Sequence, residues 1–265
     1  MKISATVFEA FLKCSTKCWL RAAGEPTSGN AYAEWVRSQE KSYRADAAKV
    51  LIADVPANEC EVAPVAKNLK AAEWCLAVGV ELCMPFVGRV SAHAGSCGIL
   101  PPDNSLKMLA PPSLVACLHV VERVPSAGRG KPAQFIPIRL IFTNKLTKDD
   151  RLLLAFDACV LSEALGRKIA VGQIIHGEGH ATLKVKTSAL TGEVRKRLEK
   201  IAALLSNPTP PDLVLNRHCA ECEFQTRCRQ KAIEKDDLSL LAGMSDKERK
   251  KLHSKGIFTD RKSVV

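Results

Sequence analysis

The chain has 265 residues, of which 46% are hydrophobic and 25% are charged, a composition typical of a globular protein with one large domain and a small appendage. Its net charge of +11 favours nucleic acid or another polyanion as a partner, although a basic surface without any partner has the same composition. The sequence has no signal-peptide pattern and no apolar run of about 20 residues, so we expect a cytoplasmic protein without a membrane partner.

The N-terminal segment FEAFLKCSTKCWLR is predicted to be a helix. Val7, Phe8, Phe11, Cys14 and Cys18 recur at three- and four-residue spacing, which places them on one helical face. Further helices are predicted at 32–54, 152–165 and 191–205. Strands are predicted at 59–64, 81–90, 113–124, 134–142, 170–176 and 181–186, with a loop at 95–112. Helices and strands therefore alternate, and the sequence predicts an α/β fold.

Two helices carry recognisable end signals. Thr147 is predicted to cap the helix at 152–165, with acidic residues in its first turn, and Gly166 to end it. The tail at 236–259 is predicted to form a small helical hairpin, with Ser245 as a cap and Gly256 as a stop.

Eleven cysteines, an odd number, argue against a disulfide framework in a cytoplasmic chain. The run HCAECEFQTRC contains Cys219, Cys222 and Cys228 with C-x2-C-x5-C spacing, which is one ligand short of a four-thiolate site. Cys14 and Cys18 are the candidates for the fourth ligand. The other cysteines lie singly in apolar surroundings and are predicted to be small core residues: Cys60, Cys75, Cys83, Cys97, Cys117 and Cys159.

Thiolates bind zinc or an iron–sulfur cluster. The single short knuckle and the isolated third cysteine favour a 4Fe–4S cluster, while zinc, with His218 as a further ligand, remains open. Either group would close a loop containing most of the chain, so the site could serve the fold alone.

These segments resemble the RecB-like nucleases of the PD-(D/E)XK superfamily that carry an iron–sulfur staple, a cluster held by one N-terminal and three C-terminal cysteines. The family includes the CRISPR-associated RecB-like exonucleases, AddB-type nuclease domains and helicase-linked nuclease domains. FEAFLKCSTKCWLR is similar to the N-terminal motif, and CAECEFQTRC to the C-terminal triplet. The resemblance implies that Cys14 is the fourth ligand, because Ser15-Thr16-Lys17 stands where the family has Pro-Arg-Arg.

The resemblance also implies a fold and an organisation. A restriction-endonuclease-like domain with a central mixed sheet flanked by helices would span 1–235, and the helical hairpin would follow at 236–259. The segment from 218 to 259 is similar to the junction with a helicase region, so the tail at 260–265 is expected to mark the truncation of a longer chain. DNA, single-stranded or with free ends, and a helicase partner or fused helicase region are the implied partners.

The catalytic positions of the family are altered. Its chemistry uses an Asp on one strand and (Asp/Glu)-x-Lys on the next to hold Mg²⁺ or Mn²⁺. In LVACLHVVERV the Asp position is His119, three residues before Glu122, and in QFIPIRLIF the second motif reads Pro137-x-Arg139. Proline supplies no ligand and arginine does not act as a neutral base, so we expect a degenerate site at His119, Glu122 and Arg139.

The helix that follows also departs from the family pattern, with Leu153-x3-Asp157 in place of Gln-x3-Tyr. His119 is the one altered position that could still bind a metal. Retained activity would require that acids elsewhere have moved into the site, and the candidates are Glu40, Glu122, Asp149, Asp150 and Asp157.

Basic residues supply candidate phosphate contacts. Those on the predicted helix at 191–205 and beside the cysteines are Lys196, Arg197, Lys200, Arg227, Arg229 and Lys231. The alternative is an ordinary solvated helix face. Three hypotheses follow: a DNA-binding protein with a degenerate nuclease site that acts beside a helicase, an active metal-dependent single-strand exonuclease, and a structural cluster or zinc protein that mediates assembly.

Overall fold

A computed structural model describes residues 1–27, 29–64, 69, 72–86, 112–126, 128, 132–241 and 244–259. The predicted strand residues 87–90, most of the predicted loop at 95–112, Cys97 and the tail at 260–265 lie outside the described residues.

A seven-stranded mixed sheet forms the centre of the described chain, which confirms the predicted α/β fold. The strands are β1 Lys2–Ser4, β2 Cys60–Val62, β3 Leu76–Pro85, β4 Ser113–Val124, β5 Gln134–Ile141, β6 Gly172–His176 and β7 Ala181–Val185. Their order is β2-β3-β4-β5-β6-β7, with β1 beside β4. The pairs β1–β4, β2–β3 and β5–β6 are parallel, and the others are antiparallel.

Seven α-helices are present in the described residues: α1 Ala5–Lys13, α2 Ser15–Ala22, α3 Ala31–Ala53, α4 Lys148–Leu165, α5 Thr191–Ser206, α6 Gln225–Glu234 and α7 Asp246–His253. Helices α1, α4 and α5 share a hydrophobic core with one face of the sheet. Helix α3 packs through Ala47 and Ala48 on Leu76, Val120 and Ile138. No helix in the described ranges combines the length and the apolar character that crossing a membrane requires.

Helix α4 is the central helix, and its ends follow the sequence signals. The Thr147 side chain accepts from the Asp150 N–H while the Asp150 carboxylate accepts from the Thr147 N–H, and Gly166 ends the helix with φ +68°. Nearly every residue from Leu152 to Leu161 is buried, as expected for a helix that is apolar all round. Phe156 stacks on Phe8 of α1 with ring centroids 5.0 Å apart.

The N-terminal helix prediction was wrong at one residue. The segment forms two helices, α1 and α2, because Cys14 between them has an extended backbone (φ −165°, ψ 131°). The side-chain amide of Asn216 donates to the Lys13 carbonyl at 3.3 Å, a contact from the far end of the chain. Cys14 and Cys18 therefore do not share one continuous helical face.

Three smaller predictions also need correction. The first half of the predicted C-terminal hairpin is a single 3-10 turn, Leu238–Leu240, although Ser245 caps α7 through a capping box with Glu248 as expected. Strand β1 and helix α6 were not predicted. Cys83 and Cys117 are exposed and not core residues, because they alternate along β3 and β4 with the buried Leu82 and Ala116.

Candidate functional site

Four cysteines line one cavity at the junction of the N- and C-terminal segments. Cys14 lies at the break between α1 and α2, Cys219 in the 3-10 turn Arg217–Glu221, Cys222 at the end of that turn, and Cys228 in the first half of α6. Three of them are the C-terminal cysteines of the predicted site, and Cys14 is the fourth residue that the resemblance implies. Leu213, Val214, Leu215 and Phe224 contribute apolar side chains to the lining.

Cys18 is not part of this cavity. It is fully buried in the core that α1 and α4 share with the sheet, and burial is the main reason that its pKa is raised to about 12. Position therefore favours Cys14 over Cys18: Cys14 lines the cavity with the other three cysteines, and Cys18 packs as a small apolar residue.

Two of the sulfurs accept hydrogen bonds from the backbone. Backbone N–H groups of Asn216 and Phe224 donate to the Sγ atoms of Cys219 and Cys222 at 3.2 and 3.5 Å. Burial and then the neighbouring Cys222, Cys14 and Cys219 raise the pKa of Cys228 to about 11. Burial also raises the pKa of Cys219 and of Cys222, so without a cation these three C-terminal cysteines are neutral thiols.

The lining contains donors of the kind that bind zinc or an iron–sulfur cluster. Four thiols and the ring of His218 line the cavity. Yet within the described ranges no three His, Cys, Asp or Glu side chains are arranged to hold one metal ion.

Charged contacts also join the two ends of the chain beside the cavity. Glu223, buried between Cys222 and Phe224, accepts from Arg21 at 2.6 Å and lies 2.9 Å from Lys17. Burial by itself would raise the pKa of Glu223, but the Lys17 and Arg21 charges lower it to about 2. Sequence reasoning missed this cluster, because an acid between two cysteines gives no signal of its distant partners.

Asn30 adds uncharged bonds at the same junction. Its side-chain amide donates to the carbonyl oxygens of Ala220 and Cys222 and to the Gln225 side chain, at 3.0 to 3.2 Å. Its oxygen caps α3 by accepting from Tyr32 N–H. Helix α3 therefore begins directly against the segment that carries the cysteines.

The second candidate site is a pocket where β4 and β5 separate. Strand β4 pairs with β5 from Val120 to Val124 and with β1 from Ser113 to Val115. The β4 residues between these two stretches pair with neither β5 nor β1. His119 lies at the end of this gap, and its Nδ1 accepts from the Leu140 N–H at 3.0 Å. His119 and Arg139 line the same pocket, and Glu122 does not. Glu122 instead accepts from Gln173 on β6 at 3.4 Å.

Gly79 marks an irregularity opposite His119. On β3, Val78 packs towards α3 whereas Val80 packs towards α4, although alternating residues of a regular strand share a face. The same change separates Leu118 from Val120 on β4. Gly79 lies between Val78, which pairs with Val120, and Val80, which pairs with Leu118. Its φ is +69°, a conformation that favours glycine.

Among the described residues, the acids of this pocket belong to no group of three His, Cys, Asp or Glu side chains that could hold one metal ion. Glu9, Glu40 and Asp150 line it together with Arg44 and Arg139. Burial, followed by the nearby Glu9, raises the pKa of Glu40, and Asp150 is committed to the α4 cap.

The side chains of His119 and Arg139 are also engaged by other groups and are not free to bind a metal. Burial, followed by the charges of Arg139 and Arg44, lowers the pKa of His119 well below its ordinary range, so the imidazole is neutral. The Arg139 guanidinium pairs with the buried Asp157 at 2.5 Å. Asp149, another candidate acid, pairs with Lys13 at 2.9 Å.

The predicted phosphate contacts fall into two groups. Arg197 is bound to Glu193 at 2.6 Å and Arg227 to Glu25 at 2.7 Å. The other four are exposed and form no ion pair among the described residues: Lys196, Lys200, Arg229 and Lys231.

Comparisons with known proteins give limited information. No protein-family model matches the chain, and no curated protein matches it significantly. The chain is similar to the crystal structure of SSO0001, with a TM-score of 0.44 and 12% identity, over 87% of this chain and 86% of that chain. A similarity at this level carries no argument about function, and the RecB-like resemblance stays a prediction.

Proposed function

We propose that the chain is a DNA-binding protein of the RecB-like type, in which an iron–sulfur staple holds the two ends of a restriction-endonuclease-like fold together and the nuclease site is degenerate. The observation that carries the proposal is the cavity shared by Cys14 and the three C-terminal cysteines. These residues are separated by most of the sequence, and all four stand at the positions that the family motifs predict.

Cys14, Cys219, Cys222 and Cys228 would hold a 4Fe–4S cluster. A cluster bound to these cysteines would link the N-terminal helices to α6 covalently through its iron–sulfur bonds. This link would add to the ion pairs of Glu223 and the hydrogen bonds of Asn30 at the same junction. Lys17, which lines the same cavity, contributes a positive charge near the sulfurs.

The pocket at His119 supports the proposed loss of nuclease activity. A two-carboxylate metal site needs acidic oxygens on β4 and β5. There the chain has a neutral imidazole that already accepts a hydrogen bond from a backbone N–H, and a guanidinium that pairs with Asp157. DNA binding is supported by the basic surface. The net charge is +11, and sequence-independent contacts with phosphates are favoured by four exposed side chains, those of Lys196, Lys200, Arg229 and Lys231. Association with a helicase would bring such a protein to single strands or free ends.

The cluster is tested by anaerobic purification followed by iron and acid-labile sulfide assays and visible absorption. The wild type is expected to be brown with equal iron and sulfide. Cys14→Ser should lose the colour, while Cys18→Ser, the matched control one turn away, should keep it. Colour in both variants would refute the assignment of Cys14. If Cys14→Ser is insoluble, loss of absorption when a chelator removes iron from folded wild type tests the cluster itself, and retained colour in Cys18→Ser tests whether Cys18 is the fourth ligand.

The degenerate site is tested with end-labelled single-stranded DNA and Mn²⁺. Intact DNA in the cleavage reaction, together with a salt-sensitive shift on a native gel, is the expected result. Cleavage that EDTA abolishes would show an active nuclease whose acids lie elsewhere. Absence of both cleavage and binding would favour the third hypothesis, a cluster protein that mediates assembly.

A further inference from the structure

Two aromatic side chains are exposed together on α3. Tyr32 and Trp35 are 50% and 53% exposed, and their rings stack with centroids 5.8 Å apart and planes 29° apart. Aromatic residues make up only 5% of the chain. Two exposed rings in contact are therefore a local concentration of a scarce residue type, and the core does not use them.

The helix surface that continues from these rings is uncharged for two turns. Gln39 and Ser42 follow Tyr32 and Trp35 at helical spacing and are exposed. Glu34 is adjacent to Trp35 in sequence and therefore faces a different direction. A polyanion approaching the rings thus meets no carboxylate on this stripe.

A cation lies at the same junction. Helix α3 and helix α6 begin together, because Asn30 at the start of α3 donates to Gln225 at the start of α6 at 3.0 Å. Arg229 is one turn beyond Gln225 on that face of α6, is exposed, and forms no ion pair among the described residues. The two rings on α3 and the Arg229 guanidinium on α6 thus each lie within two helical turns of the hydrogen bond between Asn30 and Gln225.

We propose that Tyr32 and Trp35 form a stacking platform for the unpaired bases of single-stranded DNA, with Arg229 as a phosphate contact. This inference rests on the proposed function and adds the surface that would recognise single strands. Stacking on aromatic rings requires a base whose face is free, which single strands offer and an intact duplex does not. The platform therefore provides a preference for single strands, whereas phosphate contacts alone do not distinguish the two forms.

The test compares the affinities of a labelled oligothymidylate and of a duplex of equal length by fluorescence anisotropy, over a range of salt concentrations. Tyr32→Ala/Trp35→Ala is expected to weaken single-strand binding about tenfold or more. Duplex binding should not change. The slope of log affinity against log salt should also stay the same, because rings release no counterions. Arg229→Gln should instead reduce that slope by about 0.7.

Two matched controls separate the platform from general loss of exposed apolar surface. Val50→Ala removes an apolar side chain that is 48% exposed on the same helix, and Phe258→Ala removes a ring that is 58% exposed elsewhere. Both should bind like wild type. The single variant Trp35→Phe keeps Tyr32 and a ring at position 35, so it should retain most of the single-strand affinity that the double variant loses.

Each other outcome overturns the platform. Unchanged single-strand binding by the double variant refutes the platform and leaves the proposed function standing, as does an equal loss on the duplex. Self-association of wild type that the double variant abolishes, without an effect on DNA, would assign the rings to a protein contact. A wild type that binds neither form of DNA refutes the proposed function together with the platform.

Discussion

Arg139 on β5 and Asp157 on α4 form a buried ion pair, with Nη1 2.5 Å from Oδ2 and side chains that are 10% and 3% exposed. In the proposed resemblance, Arg139 stands at the lysine of the strand motif and Asp157 at the tyrosine of the helix motif. Two departures from the family pattern therefore contact each other. In this chain the pair links the sheet to its central helix.

Breaking this pair should be costly. Arg139→Met leaves the Asp157 carboxylate buried, and its Oδ1 already lacks a hydrogen-bond partner within the described residues. Loss of one partner of a buried pair costs about 3–5 kcal/mol of the free energy of unfolding. The double variant Arg139→Met/Asp157→Leu should recover most of that loss, as measured by urea denaturation. Equal stability of the two variants would mean that the charges do not depend on each other.

Gly79 should resist substitution by alanine although there is space for a methyl group. A Cβ atom at this position would have no neighbouring atom within 4 Å, but the backbone φ of +69° is unfavourable for other residues. We expect Gly79→Ala to lower the free energy of unfolding by about 1–2 kcal/mol. Gly179→Ala is the control, because that glycine is equally open and has no positive φ. A Gly79→Ala variant with the same free energy of unfolding as wild type would show that β3 can become regular opposite His119.

The elements that could be predicted are those whose signals are local. Strand β4 was predicted at 113–124 and is observed at Ser113–Val124, because a segment rich in valine and leucine is specified by its own residues. Helix α4 follows the capping signal at Thr147 and the stop at Gly166 in the same way. Three-residue β1, in contrast, is too short to show a period.

The break at Cys14 could not be predicted, because its cause is distant. The residues on both sides favour a helix, and the Lys13 carbonyl is bound by Asn216, more than 200 positions later. The same holds for the site. Spacing identified the three C-terminal cysteines, and a family motif the fourth, but the contacts of Arg139 with Asp157 and of Glu223 with Lys17 join segments that only the fold brings together.

The exposed lysines of α5 should contribute to DNA binding more than the arginine between them. Lys196 and Lys200 form no ion pair in the described structure, whereas Arg197 is held by Glu193 at 2.6 Å. Lys196→Gln/Lys200→Gln is expected to reduce the salt slope of single-strand binding by about 1.4, which is about 0.7 for each lost phosphate contact. Arg197→Gln should change it less. A larger effect from Arg197 would show that its bond to Glu193 opens on binding.

The C-terminal segment should lose stability in acid through Asp237. Its carboxylate, buried at the start of the 3-10 turn, accepts from Arg249 of α7 at 2.7 Å and from the Ser239 N–H at 2.8 Å. Burial by itself would raise the pKa of Asp237, but these bonds outweigh it and lower the pKa below the ordinary 3.8. A carboxyl with a lowered pKa stabilises the fold above its unfolded pKa, and that contribution is lost as the pH falls through the folded value.

The Ser239 amide resonance provides the measurement, because its N–H points to the titrating oxygen. In an acid titration followed by NMR, its chemical shift should change with a midpoint below 3.8, the ordinary pKa of the carboxyl, and α7 should detach over the same range. Asp237→Asn removes the titrating group, so its Ser239 shift should stay constant, and α7 should already be less protected from proteolysis at neutral pH. A wild-type midpoint at or above that ordinary value would mean that the bonds from Arg249 and Ser239 do not offset the burial of Asp237, and that α7 is held by other contacts.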